Sequence, residues 1–428
     1  MAPAVDAREV AARVGRNATA RLAAQVGARL LSLVLVALVT RYEGAGGLGR
    51  YVLITTLVGL AVVVTDLGLS TYMTREVAGE QSSAHQKLLL GSLFPLRMAL
   101  VTLGAGVLIA LAWSPLFPDG NRNLFSLGAV SLLPKAATGI LAGFVNGRRR
   151  MEVSSAVDVI TRLLSLAGAV PALAAGFGIP GVLVCTAAGD AVGLLVYGAF
   201  LRSWDLLPRF TIAPTAWRVA LVDAYPFALT GIIAMAYRRM DIVLLSALQG
   251  DAAAGEYGAA YKLWEALGLI PASLLDATFP EMARMARGPR GRSRLRTFFG
   301  RAAPVLLIGG MLIAAVGAGL AGPIVRLVYG ELETYGGAIV AFRLLVWAVP
   351  AMFLYLLNGH VLYALGRQRQ VTVAMAVVGV MNVALNLLVI PRWSTLGVSV
   401  VSLLSAWLLW ALLSTLARRG LRGGGKTG

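Results

Sequence analysis

Eight lysines and arginines fall inside long apolar runs: Arg29, Arg97, Lys135, Arg162, Arg238, Arg239, Lys262 and Arg343. A charge at the centre of a bilayer costs about 2.5–3.5 kcal/mol on insertion scales, so such a residue normally faces a bundle interior or a water-filled cavity. The stretch Tyr225–Arg287 is the densest, with Arg238, Arg239 and Asp241 in mid-run and Lys262 and Glu265 in the run that follows. Three pairs place opposite charges on one helical face: Asp158 with Arg162 at i,i+4, Arg238 with Asp241 and Lys262 with Glu265 at i,i+3. Any one pair reads equally as a structural neutralisation. Taken together, the cations exceed the deep carboxylates, which are Asp158, Asp190, Asp241 and Glu265, because Asp66, Asp223, Asp276 and Glu281 lie near helix ends. That surplus favours a cationic cavity for an anionic ligand. Tyr237, Tyr261 and Trp264 flank the charges and read as interface or core aromatics, with sugar stacking as the alternative.

The elements that must position these residues follow from composition. The chain has 428 residues, of which 58% are hydrophobic and only 14% charged, against about 25% charged in a soluble domain. This is the signature of an all-α integral membrane protein. Runs of about 20 apolar residues are needed to cross a bilayer. Twelve are found, near 20–40, 50–71, 88–112, 123–145, 153–175, 179–201, 222–247, 255–279, 302–322, 338–363, 371–391 and 396–417. With the N-terminus in the cytoplasm, alternate connectors are cytoplasmic and the cations sort sharply. The opposite side keeps only Arg41, Arg50, Arg122, Arg326 and Arg392, while the longest polar connector, Ala283–Arg301, carries Arg284, Arg287, Arg290, Arg292, Arg294, Arg296 and Arg301 on the cytoplasmic side. Both termini are therefore expected inside, and the formal charge of +18 is explained by loops rather than by nucleic acid.

Weak internal repeats divide the runs six and six. Leu48-Gly49-Arg50-Tyr51 is echoed by Gly255-Glu256-Tyr257, Gly147–Arg150 by Gly366–Arg369, and Pro180-Gly181-Val182 by Leu396-Gly397-Val398. An even number of helices per half gives two lobes of the same orientation, residues 1–210 and 211–428, around a central cavity, as in transporters that alternate access between the two sides. Arg29 and Arg238 hold comparable places in the two halves. Pro95, Pro134, Pro226, Pro271 and Pro350 are candidate bends, although such prolines also occur in static membrane helices.

Other chemistries are disfavoured. One cysteine, Cys185, and two histidines, His85 and His360, leave no disulfide and no metal centre. No nucleotide-binding glycine loop with its lysine occurs, connectors are too short for a catalytic domain, and no cofactor is expected. The chain reads as a transporter and not an enzyme.

Several motifs then resemble one family. Pro226-Phe227, Arg239-Met240-Asp241-Ile242-Val243-Leu244-Leu245-Ser246, Gly255-x-Tyr257 with Tyr261-Lys262, Pro271 and Phe279-Pro280 in the second half are similar to the Wzx-type oligosaccharide flippases. So are Gly49-Arg50-Tyr51, Thr65-Asp66-Leu67-Gly68-Leu69 and Thr74-Arg75-Glu76 in the first. These flippases belong to the multidrug/oligosaccharidyl-lipid/polysaccharide exporter superfamily, and the resemblance spans nearly the whole chain. It implies translocation of a polyprenyl-pyrophosphate-linked oligosaccharide from the inner to the outer leaflet of a bacterial plasma membrane, for cell-surface polysaccharide such as exopolysaccharide or O-antigen. On that reading Arg29, Arg162, Arg238, Arg239 and Lys262 hold the diphosphate, and Asp158, Asp190, Asp241 or Glu265 take part in ion coupling. The partners implied are the lipid-linked glycan, membrane lipids, and a polysaccharide polymerase with its glycosyltransferases. A lipid II flippase is the nearest alternative, usually with fourteen spans. A multidrug exporter of the same superfamily would be expected to show an acidic rather than a basic interior.

Overall fold

The computed structural model describes residues 7–113, 122–287, 291–330 and 336–422, and among these there is no strand. Fourteen α-helices follow in order: α1 (Ala7–Asp66), α2 (Leu69–Gly79), α3 (Ser83–Ala112), α4 (Arg122–Gly147), α5 (Met151–Ala174), α6 (Gly178–Ser203), α7 (Pro214–Gln249), α8 (Asp251–Leu267), α9 (Leu269–Arg287), α10 (Gly291–Gly319), α11 (Ala321–Tyr329), α12 (Gly336–Leu345), α13 (Val349–Ala364) and α14 (Gln368–Arg422). Nine helical stretches among the described residues are long and apolar enough to cross a membrane.

The twelve expected spans are recovered once the irregularities are understood, one being the 3-10 turn Val346–Ala348 that joins α12 and α13 into a single stretch. The chain turns inside α1 at Gly44, whose φ of 68° and ψ of −171° suit a residue without a Cβ. It turns inside α14 at Ser394, just beyond Pro391. Splitting both helices there gives the first two and last two spans. The eighth span, expected to be continuous over 255–279, is instead broken at Gly268 between α8 and α9. Pro271 supplies the cause, since it has no N–H to donate to the carbonyl of Leu267.

The helices also extend further than hydropathy indicates. The arginine-rich connector is largely helical: α9 runs through Arg287 and α10 begins at Gly291, with Arg290 outside the described residues. Arginine is a good helix former, so a polar end beyond the apolar run remains helical in water. α7 likewise begins at Pro214, where proline at the first turn needs no donor.

The chain forms two compact units, Met1–Tyr42 with Ile54–Ile232, and Glu43–Leu53 with Ile233–Gly428. The division falls within α7, and a short piece of α1 belongs to the second unit. The first unit has a core of Leu69, Met73, Leu90, Leu93, Ile140 and Phe144, all fully buried. The second centres on Leu275, Met282, Val349, Leu357, Val361 and Val378. Many large apolar side chains face outward, among them Leu103, Leu195, Leu312, Leu327, Val380 and Leu388, as expected where lipid is the solvent.

Glycines set the closest helix approaches. A Cβ on Gly49 would lie 1.6 Å from the carbonyl oxygen of Asp251, and one on Gly255 would lie 2.0 Å from that of Ala45. The two echoing motifs thus cross backbone to backbone in the second unit, which is the small-residue device of membrane helices.

Candidate functional site

In the first unit, α4, α5 and α6 enclose a cavity of about 460 Å³. Lys135 from α4, Asp158 and Arg162 from α5 and Asp190 from α6 all line it. Gly189 and Gly193 flank Asp190 and bring α6 against Ser165 and Thr161 of α5, where added Cβ atoms would come within 2.5 and 2.6 Å of side-chain atoms. That close approach carries the Asp190 carboxylate toward the cavity. Arg162 and Asp158 form the expected i,i+4 contact, but loosely, with Nε 3.8 Å from Oδ2 and side chains 41% and 59% exposed. Nε of Arg162 has no hydrogen-bond partner. Lys135 is exposed and, among the described residues, has no ion pair.

The remaining wall mixes hydroxyl groups with the apolar Val62, Ala142 and Val157. Thr138 Oγ1 donates to the Lys135 carbonyl at 2.9 Å, Thr161 Oγ1 to the Asp158 carbonyl at 3.0 Å, Ser165 Oγ to the Thr161 carbonyl at 2.7 Å and Thr186 Oγ1 to the Val182 carbonyl at 2.8 Å. With their protons engaged on their own helices, these oxygens offer acceptor lone pairs. The cavity therefore combines two cations that can hold an anion with carboxylates and hydroxyl oxygens that can accept hydrogen bonds.

Arg97 has a different task in the same unit. Its side chain is 1% exposed, its Nε lies 3.4 Å from Oδ1 of Asp66, and its other nitrogens donate to Thr65 Oγ1 at 2.9 Å and the Val62 carbonyl at 3.1 Å. Asp66 also accepts from Ser70 N–H at 3.2 Å and Ser70 Oγ at 2.6 Å. These bonds hold the break at Leu67 and Gly68, where both residues take positive φ. The Thr65-Asp66-Leu67-Gly68 motif is thus a helix break satisfied by a buried arginine, not a ligand contact.

In the second unit two of the intramembrane cations share one carboxylate. Arg239 Nη2 lies 2.8 Å from Glu265 Oε1, and Lys262 Nζ lies 3.2 Å from Oε2 of the same carboxylate, all three partly buried. The Arg239 guanidinium also sits 5.2 Å over the Tyr261 ring, a cation–π contact. Tyr261 in turn packs its ring at a tilt against Tyr257 and Trp264 and donates to the Arg238 carbonyl at 3.0 Å. These aromatics are core side chains among their own kind.

Asp241 does not pair with Arg238 as their spacing led us to expect. Its buried carboxylate accepts from Tyr257 O–H and from the Ile242 N–H at 2.8 Å, and Tyr257 reaches Ser402 Oγ at 3.0 Å. Arg238 is left exposed, without a carboxylate among the described residues. Tertiary contact with α8 outcompetes the local pair, because Tyr257 is delivered by the Gly49–Gly255 crossing.

The residues singled out from sequence therefore separate. Arg29 is exposed on α1 and belongs, with Arg162, to the first unit; Arg238, Arg239 and Lys262 belong to the second. Only Arg239 and Lys262 share a partner. Lys135 was not among the diphosphate contacts expected from sequence, although its mid-run position in α4 was the available signal. Among the described residues no group of three or more metal-ligating side chains comes together.

Comparison with known proteins bears on the family and the fold. The family model for polysaccharide biosynthesis proteins matches residues 14–286, and that for the lipid II flippase MurJ matches residues 154–428. The probable flippase AglR of Haloferax volcanii is 23% identical over 397 residues, covering 90% of this chain and 80% of that protein. A lipid II flippase MurJ in an inward closed conformation superposes with a TM-score of 0.75 at 12% identity, covering 92% of this chain and 86% of the other. A multidrug resistance MATE family transporter in an inward-facing conformation gives 0.72 at 14% identity, covering 95% of this chain and 100% of the other. The structural likenesses show the fold, while the first family model spans more than half of the sequence. This chain belongs to the polysaccharide biosynthesis protein family, the Wzx-type flippases of the multidrug/oligosaccharidyl-lipid/polysaccharide exporter superfamily.

Proposed function

We propose that the protein moves a polyprenyl-pyrophosphate-linked oligosaccharide from the cytoplasmic to the outer leaflet of a plasma membrane, by alternating access. The observation that carries this reading is the cavity of the first unit. Lys135 and Arg162 supply positive charge for phosphate, while the hydroxyl oxygens, Asp158 and Asp190 accept from sugar hydroxyls. Charge-assisted contacts of this kind are the stronger class of hydrogen bond. Arg29 and Arg238, both exposed and free of carboxylate partners among the described residues, are further diphosphate contacts. Arg239 and Lys262 reach a phosphate only by releasing Glu265. Asp190 is the first candidate for ion coupling, having no hydrogen bond or ion pair among the described residues, ahead of Asp158, Asp241 and Glu265. Both termini lie in the cytoplasm on this reading.

The second reading is a lipid II flippase, favoured by the family match over residues 154–428. Both are tested in a flippase-depleted bacterium expressing the protein, by scoring lipid-linked glycan that reaches the outer face. Rescue with an oligosaccharide carrier, lost in Arg162→Ala and Arg238→Ala at equal membrane levels, supports the proposal. Rescue with lipid II alone moves the assignment to the second reading, and efflux of cationic dyes with neither carrier rejects both.

A further inference from the structure

A second cavity, of about 750 Å³, lies in the second unit where α13 hands over to α14. Arg367, Arg369 and Arg419 line one part of it, and Val373, Val377 and Leu416 belong to the apolar remainder. The loop is fixed: Gly366 takes φ of 71°, and the Arg367 N–H donates to the Leu362 carbonyl at 2.8 Å, the glycine-ended cap of α13. No carboxylate pairs with the three guanidiniums among the described residues. Val373 and Val377 are 54% and 57% exposed. At 1.5 Å per residue along α14, they lie about 6 and 12 Å inward of Arg369. The carboxamide oxygen of Gln370 is buried and lacks a hydrogen-bond donor.

We propose that this cavity binds one anionic phospholipid of the cytoplasmic leaflet, for which phosphatidylglycerol is the probe. Three arginines at the end of an apolar groove match a phosphodiester above an acyl chain, the arrangement by which basic pockets between membrane helices hold anionic lipids. The charge asymmetry of the connectors assigns Arg367, Arg369 and Arg419 to the cytoplasmic side, where anionic lipid is met. The site is independent of the flipped substrate and lies outside the cavity of the first unit.

The test uses the full chain purified in neutral detergent with defined lipids added, read by native mass spectrometry and by the shift in melting temperature. Phosphatidylglycerol should remain bound as a single lipid and raise the melting temperature, and phosphatidylcholine should do neither. Replacing all three arginines by glutamine should weaken retention about a hundredfold, taking the surface charge effect per arginine. Val377→Trp fills the groove with the charges intact and should also abolish retention, while both variants melt as wild type does without lipid. Equal retention of the two lipids, or undiminished phosphatidylglycerol in either variant, overturns the site. Displacement of phosphatidylglycerol by equimolar polyprenyl pyrophosphate overturns the choice of ligand.

Discussion

Two charge clusters, one in each unit, are held in opposite ways. In the first, Lys135, Arg162, Asp158 and Asp190 stand around an open cavity, with the Arg162–Asp158 contact stretched to 3.8 Å and both side chains well exposed. In the second, Arg239, Lys262 and Glu265 close on one another at 2.8 and 3.2 Å, and Asp241 is buried against Tyr257. A charge left open to a cavity retains its capacity for a ligand. One already saturated by a fixed partner contributes mainly to the register of its helices, and removing either half leaves the other exposed to an apolar surrounding. Intramembrane position alone therefore does not identify a binding residue. What separates Lys135 from Lys262 is whether a partner is already present.

The largest effect expected from this contrast is on folding of the second unit. Gly255→Val places a side chain where the Ala45 carbonyl already sits, so the crossing that presents Tyr257 to Asp241 must open. Folded protein recovered from the membrane should fall to near nothing, measured by fluorescence-detected size exclusion. Gly176→Ala, which meets no atom within 4 Å but lies at φ of 81° in the turn after α5, should show only a modest loss. Equal loss in the two variants would remove the crossing from the account.

Next come the open charges. Lys135→Ala and Arg162→Ala should each cut glycan translocation about 10- to 100-fold, the range for a lost charged hydrogen bond, with the melting temperature unchanged. The paired charges should reverse that pattern. Arg239→Ala leaves Glu265 with Lys262 alone and should lower stability by about 3 kcal/mol. Adding Glu265→Ala should recover part of that loss, as a double-mutant cycle measures. If the Arg239→Ala protein is as stable as wild type but inactive, the second-unit network belongs to the substrate site and the contrast between the units fails.

Much of this was legible in the sequence, for identifiable reasons. Lipid forces every backbone group into helical bonding, so hydropathy located the twelve spans, and the close Lys262–Glu265 pair followed from helical spacing. What sequence could not carry was tertiary. Asp241 is three residues from Arg238, yet it binds Tyr257 because the Gly49–Gly255 crossing, 14 residues further along the chain, decides what faces it. Arg97 looked like another cavity cation; burial against Thr65 and Val62 makes it the brace of a helix break. Lys135 could be ranked only after α5 and α6 were known to leave space beside it. The arginine-rich connector read as a loop because hydropathy reports lipid contact, not helicity.

The smallest expected effect concerns charge at the aqueous edge of the first unit, and it sharpens the same distinction. Lys87 on α3 donates to Asp205, in the turn after α6, at 2.9 Å. That hydrogen bond, with the charge of the lysine, holds the Asp205 carboxyl below its usual range, although the aspartate is fully open to water. A carboxyl whose folded value is depressed contributes stability above its unfolded pKa and loses it as pH falls through the folded value. Melting temperature should therefore drift down slightly on the acid side of the ordinary aspartate range, and Lys87→Met should remove that part of the drift without altering the neutral-pH fold. Added salt should mimic the substitution, since an exposed pair is screened. The Arg239–Glu265–Lys262 cluster, shielded from the bulk, should respond to salt far less. A salt sensitivity of equal size in both places would mean that water reaches the second-unit cluster as freely as it reaches the surface, and the closed network would have to be redrawn as an open one.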